Sequence, residues 1–271
     1  GLLDAGRLRR LPIWISGLDG DPSGDLRGPA VAGAASALRR RLPLNDVVRW
    51  ALARFRGGGV SAYACLESEL YALAPYAPSI TRREKSAGLF QGHAATYGEI
   101  DRRGVAGALR RLGGLSKDDV FFDLGSGLGK VVLQVFLGTS ARRVVGVELG
   151  ELRHKNADDA VSALRRRYAT LLDGSRSLEL VHGNVLEADV SEATVVWMGS
   201  LAFPAELMEG IAKKLMTEAR DGCRVLSMLA FPEGALDDGR RKLLKRDQWK
   251  SRVRWSERPD GATFHFYEVS R

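Results

Sequence analysis

Residues Phe121–Lys130 read FFDLGSGLGK, and this stretch decides the architecture. An apolar run ends at an acidic residue, Asp123. Three glycines follow at alternate positions, Gly125, Gly127 and Gly129, and KVVLQVFLG then reads as a helix. A buried strand, a glycine turn and a helix in that order begin an open α/β sheet, in which ligands sit outside the carboxyl ends of the strands. Glycine lets the backbone bend sharply there and lets a ligand come close. The spacing G-x-G-x-G departs from two common phosphate-binding loops. The dinucleotide fingerprint needs a glycine where Lys130 stands. A Walker loop needs Gly at 124 and Ser or Thr at 131, where this chain has Leu124 and Val131.

Downstream, short β-branched runs alternate with helical stretches. RVVGVEL is followed by a long helix through about Tyr168, then by LELVHGN and TVVWM. A helix from about Ala205 to Glu218 and the run CRVLSML come next. That alternation is the signature of a parallel sheet covered on both faces. SRVRW and TFHFYEVSR, separated by the turn ERPDG, look like an antiparallel hairpin. The predicted fold is therefore α/β, a doubly wound, mostly parallel, seven-stranded Rossmann-like sheet closed by a C-terminal antiparallel hairpin. Upstream, residues 1–43 are rich in Gly, Ala, Arg and Pro and read as poorly ordered or loosely helical. Residues 44–96 form a helical extension. There Asn45 caps LNDVVRWALARF, and ACLESELYAL ends before Pro75. Residues 97–271 form the α/β domain. The chain does not begin with Met, and its first residues lack a signal-peptide core, so it reads as a fragment or a processed form.

The formal charge of +8 is carried largely by arginine, in clusters such as Arg39–Arg41 and Arg165–Arg167. Such a balance favours acidic partners, with non-specific nucleic-acid contact among them. It is equally read as a solvated helix face in an arginine-rich chain. Cys65 and Cys223 are the only cysteines and are far apart, which points to a reducing, intracellular compartment rather than a disulfide framework. With four scattered histidines, the sequence offers no metal-ligand spacing, and no metal is expected. No apolar run reaches the ~18 residues of a membrane span.

Two further elements belong with the glycine turn. VVGVEL ends at Glu148, 25 residues after Asp123, where a carboxylate can accept hydrogen bonds from both ribose hydroxyls of a nucleoside. In HGNVLEAD, Asn184 reads either as a contact to an adenine edge, with Val185 on the adenine face, or as a loop residue. His182 reads more readily as a packed strand-end residue than as a catalytic one. Together the three elements resemble the class I methyltransferases that use S-adenosyl-L-methionine. In-line attack on a sulfonium methyl calls for positioning more than for a strong acid, consistent with the lack of a catalytic triad.

The likeness sharpens over residues 95–271. YGEI, VFFDLGSGLGKVVLQV, VVGVEL and TVVWMGSLAFPAELMEGIAKKL resemble the disruptor-of-telomeric-silencing family of histone lysine methyltransferases. GCRVLSMLAF resembles that family's fifth strand, and VRWSERPDGATFHFYEVSR its closing hairpin. The resemblance implies a nuclear, chromatin-directed enzyme with a histone or nucleosome as partner. It implies a cofactor site of Tyr97, Gly98, Glu99, Asp123, Gly125, Gly127, Gly129, Lys130, Glu148, Asn184 and Val185, with Lys130 replacing a common Gln. It also implies a narrow apolar channel for the target lysine, lined by Gly199, Leu201, Phe203, Trp255 and Phe264. For Trp255 and Phe264, ordinary sheet packing is an equal reading. Two motifs depart from the family. Asn-Asn-Phe-Ala-Phe is here Gly199-Ser200-Leu201-Ala202-Phe203, and Asp-Phe is here Asn184-Val185. The alternatives are a methyltransferase of this fold acting on another protein or a small molecule, and a non-catalytic chromatin-binding module.

Overall fold

Residues 100, 102–167, 176–251 and 261–271 are described in a computed structural model of the chain. The two N-terminal segments, Tyr97, Gly98, Glu99, Trp255 and the turn residues 257–260 lie outside the described residues. The elements run α1 (Arg102–Arg111), β1 (Val120–Leu124), α2 (Lys130–Gly138), β2 (Arg143–Glu148), α3 (Glu151–Arg167) and β3 (Ser177–His182). They continue with β4 (Val195–Met198), α4 (Ala205–Glu218), β5 (Arg224–Ser227), β6 (Lys242–Ser251) and β7 (Ala262–Ser270).

The seven strands form one sheet in the order β3-β2-β1-β4-β5-β7-β6. The first five are mutually parallel, and β7 runs antiparallel to both β5 and β6. The chain leaves β1 toward β2 and β3, then returns to the other side through β4 and β5. That reversal puts a crevice at the carboxyl ends of β1 and β4. Every residue of β1 and β4 is buried, which explains why both read as continuous apolar runs rather than alternating ones.

Each face of the sheet has its own core. On one, Phe121, Val144, Leu178, Val195 and Trp197 pack with α1, α2 and α3. On the other, Phe122, Val145, Val196 and Val225 pack beneath α4. The α4 stripe is Met208, Ile211, Ala212 and Leu215, the i, i+3, i+4, i+7 spacing of a helix with one buried face. At the opposite, amino-terminal edge, Arg224 donates to the Gly114 carbonyl at 2.8 Å and to Asp119 Oδ1 at 2.7 Å. This ties the turn after α1 to β5.

The closing hairpin differs from its predicted form. Its first strand begins at Lys242, nine residues before the predicted SRVRW, and runs to Ser251. This is an edge strand with two main apolar anchors, and they lie on opposite faces. Leu243 pairs with Val269 in the core under α4, while Trp249 pairs with Phe264 on the other side. Six residues apart, they would share a face in a regular strand. A register shift between Lys245 and Asp247 reverses the phase. The stretch KLLKRDQWK therefore lacks the alternation by which a strand is read.

Candidate functional site

The glycine turn is held from below by β2. The N–H groups of Gly125 and Ser126 both donate to the Val147 carbonyl at 2.9 Å. Glu148, at the end of β2, takes the Gly127 N–H on Oε2 and the Gly150 N–H on Oε1, both at 2.8 Å. Its carboxylate thus spans two turns, the one opening α2 and the one opening α3. Gly127 has φ 55° and Gly125 φ 89°, both in the left-handed region where a side chain adds strain. Gly125 is constrained twice, because a Cβ there would stand 2.9 Å from Phe203 Cζ. The ring of Phe203, which follows β4, therefore lies directly against the turn that follows β1.

Asp123 and Glu148 are both buried, at 3% and 5% exposure. Asp123 pairs in register with Gly146, and Glu148 lies two residues further along β2, so both side chains point to the same face. Burial first, and the charge of Glu148 second, push Asp123 up to about 8. On β3, His182 faces Glu148 in register, and its Nε2 lies 3.1 Å from the Leu149 carbonyl. His182 stacks on His154 of α3 with ring centroids 5.2 Å apart. Burial, and then His182, lower the His154 pKa.

Gly146 and Ser200 take structural roles at the site that the sequence did not assign to them. Gly146 lies in mid-strand, where a Cβ would meet Ser126 Oγ and Val132 Cγ2, each at 2.8 Å. The bare backbone of β2 lets the turn and α2 seat against it. A glycine inside a β-branched run is itself a signal of close approach. Ser200 is fully buried. It accepts the N–H of Met228 at 3.2 Å and of Leu229 at 3.0 Å, and its oxygen lies 2.8 Å from Ser227 Oγ. It ties the segment after β4 to the one after β5, and no local sequence signal marks it.

The expected residues are brought together only in part. Asp123, Gly125, Gly127, Gly129, Lys130 and Glu148 cluster around the turn into α2. Asn184 makes a local turn, its Oδ1 accepting the Leu186 N–H at 3.0 Å, and Val185 is buried under α4. The described members of the expected channel fall in different surroundings. Phe264 is fully buried between Trp197 and Trp249, with centroids 5.7 and 5.8 Å away, and belongs to the core opposite α4. Phe203 packs with the α4 side. Phe264 is carried by β7 and Phe203 by the segment after β4, and the two pack in different cores. Each aromatic pair contributes ~0.5–1.5 kcal/mol beyond its buried area, so Phe264 is a packing residue. Leu201 is 42% exposed, and Gly199 is exposed with no atom within 4 Å of where its Cβ would stand.

A doubly wound sheet with a glycine turn after β1, an acidic residue ending β2 and an antiparallel β7 defines a class I methyltransferase fold. The profile of the family described as "Histone methylation protein DOT1" matches residues 76–240, more than half of the chain. The chain belongs to this family. A protein-lysine N-methyltransferase of Saccharolobus islandicus is 34% identical over 113 residues, covering 42% of this chain and 63% of that protein. Histone-lysine N-methyltransferases specific for H3 lysine-79 are similar as well. That of Caenorhabditis elegans is 27% identical over 137 residues, covering 49% of this chain and 14% of that protein. That of Cryptococcus neoformans is 30% identical over 158 residues, covering 56% and 24%. The chain thus spans a small part of these eukaryotic relatives and just under two thirds of the archaeal one.

Proposed function

We propose that this chain is an S-adenosylmethionine-dependent protein lysine methyltransferase that acts on a histone core lysine in chromatin, and hence in the nucleus. The observation that carries the reading is the crevice at the ends of β1 and β4, with buried Asp123 and Glu148 beneath it and Phe203 against Gly125. The residues present fit the cofactor. Gly125, Gly127 and Gly129 offer a cradle without side chains, Glu148 is placed for ribose hydroxyls, and a buried carboxyl suits a cationic ligand. The cofactor, when bound, supplies an electrophilic methyl on a sulfonium.

The chain's own residues position and desolvate. A lysine attacks only as the neutral amine, and its free pKa is ~10.4. Apolar walls such as Phe203 and Leu201 disfavour the ammonium form and aim the nitrogen. Ser200 holds the segment that carries Phe203, so the ring keeps its place over Gly125. Phe203→Ala is expected to lower turnover more than cofactor affinity, checked by single-turnover rates beside calorimetric binding. An equal loss in both would make Phe203 part of the cofactor pocket alone.

The test of the whole reading is incubation with radiolabelled S-adenosylmethionine and nucleosomes, free histones or a metabolite extract. Label on a histone lysine, with a rate that falls as salt rises, is the expected result, since basic contacts to DNA release counterions. Label only on a salt-insensitive small molecule overturns it. A second reading, a non-histone protein lysine as acceptor, is favoured by Gly199 standing where the family has Asn. Gly199→Asn is expected to fold with stability within ~0.5 kcal/mol of the parent, because φ there is −77° and the Cβ meets open space. A thermal melt checks this. A rise in nucleosome methylation by this variant would favour the histone reading, and unchanged methylation the second.

A further inference from the structure

The two buried carboxyls at the crevice are not equivalent, and the difference is geometric. Glu148 receives a backbone N–H on each oxygen. Asp123 receives no hydrogen bond from any described residue. The two point to one face of the sheet from neighbouring strands, where a second negative charge is disfavoured. Donated hydrogen bonds favour the charged form of a carboxyl, whereas burial and a like charge beside it disfavour that form. Asp123, buried beside a second carboxyl and without the amide donors that Glu148 has, is therefore placed to hold a proton. Among the described residues, the titratable and charged groups at this edge also include Lys130 opening α2, Glu151 and the buried Arg153 opening α3, and His182 closing β3, stacked on His154. On β4, Trp197 stands in register with Asp123 and brings no charge.

We propose that Asp123 is a proton-exchanging site coupled to cofactor binding. It is neutral in the empty crevice, releases its proton to solvent as a cationic ligand enters, and takes one back when the ligand leaves. The inference rests on the S-adenosylmethionine reading. That molecule carries a sulfonium and an ammonium against one carboxylate, a net positive charge. Its demethylated product, S-adenosylhomocysteine, lacks the sulfonium and is net neutral. A cation in the crevice supplies the counter-charge that Asp123 lacks, and a neutral zwitterion supplies less of it. Asp123 thereby makes the site respond to whether the sulfur still bears its methyl. The pKa of about 8 puts this exchange in the neutral range.

The test is calorimetric titration of the full chain with S-adenosylmethionine in buffers of different ionisation enthalpy, so that the buffer dependence of the heat counts protons. Near neutral pH, release approaching about one proton per ligand is expected, with less for S-adenosylhomocysteine. Release should fade to nothing about two units above the Asp123 pKa, where the acid is already ionised. Asp123→Asn should bind without release. Binding by the parent with identical heats in every buffer overturns the proposal and leaves the cofactor reading standing. Absence of any binding overturns the cofactor reading itself. Should Asp123→Asn fail to fold, the pH series on the parent decides. Release confined to acidic pH would assign the proton to His154, whose pKa burial lowers, and release that persists unchanged well above pH 10 would assign it to a group other than Asp123. Either result overturns the proposal.

Discussion

Gly146→Val is expected to unfold the protein or leave it barely stable, with no cofactor binding. The position is buried in β2, which is hydrogen-bonded on one side to β1 and on the other to β3. That backbone cannot retreat without breaking two strand pairings. A single Cβ already meets Ser126 Oγ and Val132 Cγ2 at 2.8 Å and Ser126 Cβ at 2.9 Å. Ser126 sits in the glycine turn, whose amides are tied to Val147, and Val132 is on the buried face of α2. Forcing extra carbons into a packed interior costs ~1–3 kcal/mol for small insertions. Valine adds three carbons, and the total stability of a domain is only ~5–15 kcal/mol. Gly146→Ala is the graded control. At a cost near 2 kcal/mol, its melting temperature should fall by about 4–8 °C. A valine variant that melts with the parent would mean that the turn and α2 do not seat on β2 as described.

Glu148→Ala is the second large effect, and it has two separable parts. The first concerns the empty protein. Removing the carboxylate leaves the N–H groups of Gly127 and Gly150 without their acceptor, and an unmade hydrogen bond at a buried donor costs ~1–3 kcal/mol. The variant should therefore be less stable before any ligand is added. The second part concerns the cofactor. A carboxylate bonded to two ribose hydroxyls contributes ~1.5–3 kcal/mol per charge-assisted bond. Affinity for S-adenosylmethionine should fall at least tenfold, beyond whatever the stability loss explains. Glu148→Gln keeps one acceptor oxygen and removes the charge, so it should recover part of the stability and little of the affinity. Calorimetry and thermal melts on both variants separate the parts. A change in affinity of less than threefold for the alanine variant would leave Glu148 as a structural clamp between two turns.

The legible portion of this molecule is the portion whose signals are local. The strand ending at Asp123, the turn through Gly129 and the helix after it are adjacent in the chain, and each residue type is required by its own backbone. Helix α4 was readable to its ends, because an amphipathic stripe repeats within one element. Full burial on both sides erased alternation from β1 and β4, yet left continuous apolar runs that are equally recognisable. The placement of Glu148 at the end of β2 was also readable, since strand ends follow from where apolar runs stop.

Packing across the sheet was not readable in this way. The phase of β6 depends on an irregularity that exists only in its pairing with β7, so its two apolar anchors gave no alternating pattern. The side to which Phe264 turns follows from that pairing, and it places the ring between two tryptophans rather than beside Phe203. Ser200 finds its partners 27 to 29 residues away, on a strand that is its neighbour only in space. The inequality of Asp123 and Glu148 is of the same kind. Their residue types and spacing are in the chain for anyone to read. The two backbone amides that distinguish them are brought to Glu148 by folding and are not brought to Asp123. Local chemistry thus settled the fold and where the candidate site lies in it, while the contacts that shape that site came from elements far apart in the chain.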